Sequence, residues 1–333
     1  MYIIESYSLA VFFCFITMLC WGSWANTQKL AGKSWRFELY YWDYVWGIVI
    51  FALILAFTLG SHGNQGRSFS SDFHQADTGS LVSAFVGGVI FNLSNILLVA
   101  AMALAGIAVA FPVGVGIALA LGVIINYIAV PIGNAAILFS GVELITLAII
   151  FDALAYKKMS QSQQKVSSKG LLLSILAGIL MSVFYRFVAS SMATDFANPQ
   201  HGKITPYTAI VVFSIGILIS NFIFNYILMK KPIEGPPLEM GDYFKGSLKA
   251  HMTGILGGII WNIGMSLSII ASGQAGSAIS YGLGQGATLI AALWGVFIWK
   301  EFKNAPVGTN KYIVAMFILY LVGLTLLIYS KNG

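Results

Sequence analysis

Ten runs of about 20 residues with almost no charge decide the class of fold. They cover roughly 7–28, 37–59, 81–104, 107–129, 134–155, 170–191, 206–229, 251–272, 277–299 and 311–330. Lipid offers backbone N–H and C=O groups no partner, so a run of this length crosses a bilayer as a helix that bonds to itself. Charged residues make up 9% of the 333, where a soluble domain carries about 25%. That is too little polar surface to face water. The chain reads as an all-α, multi-pass membrane protein whose main surroundings are the lipid bilayer.

The basic residues set its orientation. Lys29, Lys33, Arg36, Lys157, Lys158, Lys165, Lys169, Lys230, Lys231, Lys245, Lys249, Lys300, Lys303 and Lys311 fall in loops on one side; Arg67, Lys203 and Lys331 fall on the other. The positive-inside rule puts the first set in the cytoplasm and both termini outside, in the inner (plasma) membrane. The net charge of +6 is therefore a topology signal and excludes nucleic acid as a partner. Cys14 and Cys20 share one helix, six residues apart, and cannot bridge. The first apolar run lacks a basic leader segment and is full length for a span, so it reads as a helix that stays.

The chain also repeats itself. Gly87–Ile128 aligns without a gap on Gly257–Ile298, with Asn92 on Asn262, Gly106 on Gly276, Gly114 on Gly284 and Gly116 on Gly286. Roughly 13 positions are identical, against about five expected for two segments so biased in composition. Each copy reads as two helices joined by a tight turn at an Ala-Gly pair. The polar Lys157–Lys169 segment separates residues 1–156 from residues 170–333, five spans each. Because five is odd, the two halves enter the membrane in opposite senses. The expected architecture is two inverted five-helix repeats, with a binding site at the midplane between them.

Polar groups inside apolar spans mark that site. Trp21 and Trp24 offer an aromatic wall, with Gln28 beyond them; both tryptophans also suit a membrane interface. Asn92 and Asn95 lie one turn apart, and Asn262 repeats the first, beside Trp261 and one turn before Ser266. Buried amides need partners, which a cavity or a neighbouring helix can supply. Tyr281, Gln285 and Thr288 form a stripe at i, i+4 and i+7, amid glycines that suit close packing. Tyr185 and Arg186 are adjacent toward the outer end of the sixth span; Arg186 either forks onto substrate oxygens or reaches outward. Glu143, mid-span in the fifth helix, is the first candidate for a proton-coupling site and Asp43 the second, with Asp152 set aside as near the interface. The four histidines have no metal-ligand spacing, and no cofactor or catalytic constellation is expected.

The opening MYIIESYSLAVFFCFITMLCWGSWANTQKL resembles the ureide permeases, as do YYWDY at Tyr40–Tyr44, LFSGVE at Leu138–Glu143, TPYTAIVVFSIG at Thr205–Gly216, ASGQAGSAISYGLGQG, and LWGVFIWKEF at Leu293–Phe302. That family sits in the drug/metabolite transporter superfamily, and the resemblance implies the fold of ten helices in two inverted halves. It also implies a secondary transporter importing a small neutral polar metabolite, a ureide, nucleobase or related heterocycle, by proton symport and alternating access. The YYWDY likeness favours Asp43 as the alternative proton site. A monosaccharide symporter of the glucose, ribose or rhamnose type shares the architecture and is the second expectation. A multidrug exporter of the same superfamily is third, since the many amides and hydroxyls suit one polar ligand. An enzyme is not expected.

Overall fold

The computed structural model of the protein describes all residues except 33–34, 160–166, 234 and 333. Its helices are α1 (Tyr7–Ser23), α2 (Asn26–Ala31), α3 (Phe37–Phe57), α4 (Phe69–Gln75), α5 (Thr78–Ala105), α6 (Ile107–Ala129), α7 (Ala135–Met159), α8 (Ser168–Ser191), α9 (Pro206–Lys230), α10 (Met240–Tyr243), α11 (Leu248–Ala275), α12 (Ser277–Gly284), α13 (Ala287–Leu293) and α14 (Thr309–Tyr329). A π-helical turn, Trp294–Ile298, follows α13. Ten helical segments among the described residues are long and apolar enough to cross a membrane; α1 with α2 makes the first, and α12, α13 and the π turn make the ninth. No strand occurs among the described residues, only isolated bridges Ala76–Gly202 and Met192–Ile204 between loops. Most of the expected linker, 160–166, lies outside the described residues.

The helices start where side chains can cap them. Ser6, Asp77, Ser167 and Ser247 accept from the backbone N–H three residues on, which satisfies donors a membrane helix cannot leave bare. The Ser80 N–H also holds the Asp77 carboxyl below its ordinary range. Large apolar side chains point outward, as on α3 (Ile50, Leu53, Ile54, Phe57) and α9 (Ile219, Phe222, Ile223). Polar residues such as Asn92, Ser214 and Asn262 are buried. This is the reverse of a water-soluble bundle and follows from lipid as the solvent.

The packing crosses between the halves. α5 and α6 lie against α8, while α11, α12 and α13 lie against α1. α5 also packs on α9 as α11 packs on α3, and α7 pairs with α14. Both α5 and α11 have 28 residues. Each ends on a glycine in nearly the same left-handed conformation, φ 81° ψ 151° at Gly106 and φ 81° ψ 152° at Gly276. The contacts recur too. Gly88 sits against the Phe213 carbonyl and the Ile217 N–H, and Gly258 sits against the Tyr44 carbonyl and the Ile48 N–H. A side chain at either glycine would run into neighbouring backbone.

Candidate functional site

A cavity of about 150 Å³ lies among α1, α5, α6, α8, α11 and α13, with Gln285 entering from the break between α12 and α13. Trp21, Trp24, Phe91 and Trp261 supply aromatic surface. Trp261 is the hub: its ring stacks on Trp21 at 5.9 Å and 13°, and Phe91 tilts onto it at 4.4 Å. The Trp21 indole N–H donates to the Trp261 carbonyl at 3.1 Å, which fixes the Trp21 ring. The polar lining is small: Ser94, Asn95, Gln285 and Thr288. No charged side chain lines it among the described residues.

Most of those polar groups are already engaged. Ser94 donates to the Ala177 carbonyl at 2.7 Å. Thr288 donates to the Gln285 carbonyl at 3.0 Å and accepts from Tyr320 at 2.6 Å. Asn95 donates to Tyr41 Oη at 3.1 Å and keeps its carbonyl oxygen free of any described partner. The Gln285 side-chain amide bonds to no described residue. It occupies the break between α12 and α13, where Gly286 bonds back three residues to Leu283 instead of four. A broken helix of this kind turns a polar group inward without leaving the membrane.

The same break divides the expected Tyr281–Gln285–Thr288 stripe. Gln285 and Thr288 face the cavity, but Tyr281 is fully buried and its hydroxyl bonds the Ala118 and Met181 carbonyls, each at 3.1 Å. Tyr185 is likewise buried, its hydroxyl 3.1 Å from Ser268 Oγ and 3.4 Å from Ser280 Oγ. These bonds join α8 to α11 and α12.

Asn92 and Asn262 lie outside the cavity lining, and neighbouring helices supply their partners. Asn92 Nδ2 donates to Ser220 at 2.9 Å and to the Ile217 carbonyl at 3.3 Å, and its Oδ1 accepts from Tyr41 at 2.9 Å. Asn262 Nδ2 donates to the Ile48 carbonyl at 2.7 Å. Ile217 and Ile48 are the residues already paired by the Gly88 and Gly258 contacts. The two amides therefore clamp corresponding helix pairs, and that structural duty explains why both copies carry them. Ser266 donates to Asn262 Oδ1 at 3.4 Å and shares its burial.

The charged candidates divide as well. Glu143 lies on the exposed face of α7, in line with Leu147 and Ile150, and α7 contributes nothing to the cavity lining. Glu143 therefore stands apart from the cavity. Arg186, half-buried on α8, is outside the lining and bonds no described residue. Asp43 is buried at 1% exposure. Its Oδ1 accepts from Tyr243 at 2.7 Å and faces His251 Nδ1 at 2.9 Å, and its Oδ2 accepts from Trp35 at 3.3 Å. His251 gives no signal in the sequence; it stands alone at the edge of a span. The apolar lining, Met181 and Phe184 included, is equally silent, since an apolar residue in an apolar run marks nothing.

Ten apolar helical segments among the described residues, some of them enclosing an uncharged, aromatic-walled cavity, define a multi-pass membrane protein. The profile of the ureide permease family matches residues 40–169 and 154–330. The chain belongs to that family, which consists of transporters and not enzymes. Ureide permease 1 of Arabidopsis thaliana is 23% identical, over all of this chain and 99% of its own length. Probable ureide permease A3 of Vigna unguiculata is 23% identical over 91% of this chain and 98% of itself. A putative sugar uptake protein of Streptococcus pyogenes serotype M1 is 24% identical over 61% of this chain and 70% of itself. One solved protein structure superimposes with a TM-score of 0.64 at 15% identity, covering 98% of this chain and 100% of its own, so the fold is shared.

Proposed function

We propose that the protein imports a small neutral ureide, nucleobase or related heterocycle in symport with protons, by alternating access between inverted halves 1–156 and 170–333. The observation that carries this reading is the unengaged Gln285 amide facing the cavity. A primary amide offers one acceptor and two donors side by side. It pairs with a ring N–H and its adjacent C=O, the group common to ureides and nucleobases. Trp21, Trp24 and Trp261 offer flat surface for stacking. A cavity near 150 Å³ holds one small ring, and the lack of lining charge suits a neutral solute.

The similarity to a putative sugar uptake protein favours a monosaccharide as the second reading. A sugar would bring several hydroxyls to a lining whose unengaged polar groups are Gln285 and the Asn95 oxygen. Each hydroxyl left without a partner costs about 1–3 kcal/mol. Uptake of labelled allantoin, uracil, ribose and glucose into cells expressing the protein separates the two. The heterocycles are expected to accumulate and to compete with one another; accumulation of a sugar alone overturns the reading.

Both termini face outward in this reading. Asn332, exposed beyond α14, is a suitable reporter, because Cys14 is buried and Cys20 half-buried. An Asn332→Cys variant is expected to react with an impermeant maleimide in intact cells. Reaction only after lysis would reverse the orientation.

A further inference from the structure

The cluster at the cytoplasmic end of α3 is not explained by the cavity. Asp43 accepts from Trp35, ahead of α3, and from Tyr243 on α10, and faces His251 on α11. One carboxylate thus ties together three elements drawn from both halves. The fold does not require this. The glycine contacts above pair Tyr44 with Phe213 and Gly258 with Gly88. In the same register Asp43 corresponds to Val212, His251 to Leu81 and Tyr243 to Phe73. The equivalent positions on the other side of the membrane are apolar, so the Asp43–His251 pair has no counterpart there, where a different buried carboxylate, Asp72, is paired with Arg67 and Thr205 instead.

We propose that Asp43 and His251 form a proton-operated latch between α3 and α11, deepening the symport and orientation argued above. His251 is the member that meets water, with its side chain 22% exposed against 2% for Asp43. With the ring protonated, imidazolium and carboxylate neutralise each other and the latch holds. When the imidazolium gives up one proton to cytoplasmic water, the Asp43 carboxylate keeps its hydrogen bonds from Tyr243 and Trp35 but loses its buried counter-charge. A buried charge without a counter-charge is costly, so the latch loosens and Asp43 moves toward water.

The consequence reaches the cavity because α11 is one continuous helix. It carries His251 at its base, Trp261 in the aromatic wall and Ser268 in the bonds to Tyr185. The other titratable groups facing the pair are Tyr40 on α3, whose hydroxyl is 2.6 Å from Thr27 Oγ1, and Tyr243 on α10. Burial, with the Asp43 carboxylate adding to it, pushes the Tyr243 phenol up, so it stays a donor. From α9, on the far flank of α3, Lys230 pairs with Glu239 instead.

The test uses full-length protein in liposomes, with initial rates of allantoin uptake as the readout, the pH difference across the membrane held constant and internal pH raised from about 6 to about 8, the range in which histidine titrates. Wild-type uptake is expected to rise about fourfold across that range, as the neutral fraction of an ordinary imidazole does. His251→Gln is expected to flatten the response with KM unchanged. A wild-type response retained in His251→Gln overturns the latch while leaving symport standing. Absence of any allantoin uptake by the wild type instead strikes the substrate reading. For that case hydrogen exchange gives an independent measure, corrected for its intrinsic pH dependence. Exchange in α10 and the first turn of α11 is expected to quicken above the histidine range in the wild type and to be insensitive to pH in an Asp43→Asn/His251→Gln double variant, which keeps a neutral pair. Equal exchange behaviour in the two proteins overturns the latch whatever the substrate is.

Discussion

Gln285→Leu is expected to weaken uptake of a ureide or nucleobase about 30-fold, through loss of about 2 kcal/mol of binding. Leucine keeps nearly the same volume and leaves the break between α12 and α13 in place, so the change isolates the amide. A ligand N–H and C=O would then enter the cavity facing a methyl group, each short of one hydrogen bond. Uptake at several concentrations reads the effect as a raised KM with folded protein unchanged. Wild-type KM in this variant would remove Gln285 from the site. Asn262→Ala is the instructive control: its amide bonds the Ile48 carbonyl, not the cavity. It is expected to lower thermal stability in detergent while leaving KM alone.

Gly258→Val is expected to abolish folded protein. The new side chain would strike the Tyr44 carbonyl, and backbone against backbone has nowhere to give. Overpacking of a tight interior costs about 1–3 kcal/mol even where side chains can shift, and here α3 and α11 would have to part. Gly88→Val should fail in the same way, against the Phe213 carbonyl. Gly241→Ala, where nothing lies nearby, should behave as wild type. A monodisperse size-exclusion peak from the Gly258→Val protein would show that the close approach is dispensable.

How much of this was legible in the sequence depended on which physical force left a mark. Spans were legible because lipid tolerates so little charge within them; all ten runs correspond to helical segments. Tryptophans 21, 24 and 261, with Asn95, Gln285 and Thr288, were singled out and all line the cavity. Asn92 and Asn262 left a cavity and a neighbouring helix both open as partners, and each bonds a neighbouring helix. Repetition preserves whatever both halves need, and both halves need the helix clamp more than they need identical cavity walls. The exposed position of Glu143 on α7 was not legible, because spacing along one helix does not say which way its face turns. His251 was missed because its partner, Asp43, is 208 residues away in sequence.

The cavity has unequal walls. Gln285 and Thr288 correspond to Val115 and Ala118 in the first copy, and all four line it. Under the proposed function, a ligand is read by Gln285 on one edge and on the opposite edge meets Val115 and Ala118, with the Asn95 oxygen on α5 as the other unengaged polar group. Analogues altered at the unread edge should pass if they are slim, whereas methylation of the single N–H that meets Gln285 should exclude them. The two copies diverge at the positions where a polar group faces the cavity in one and an apolar group in the other.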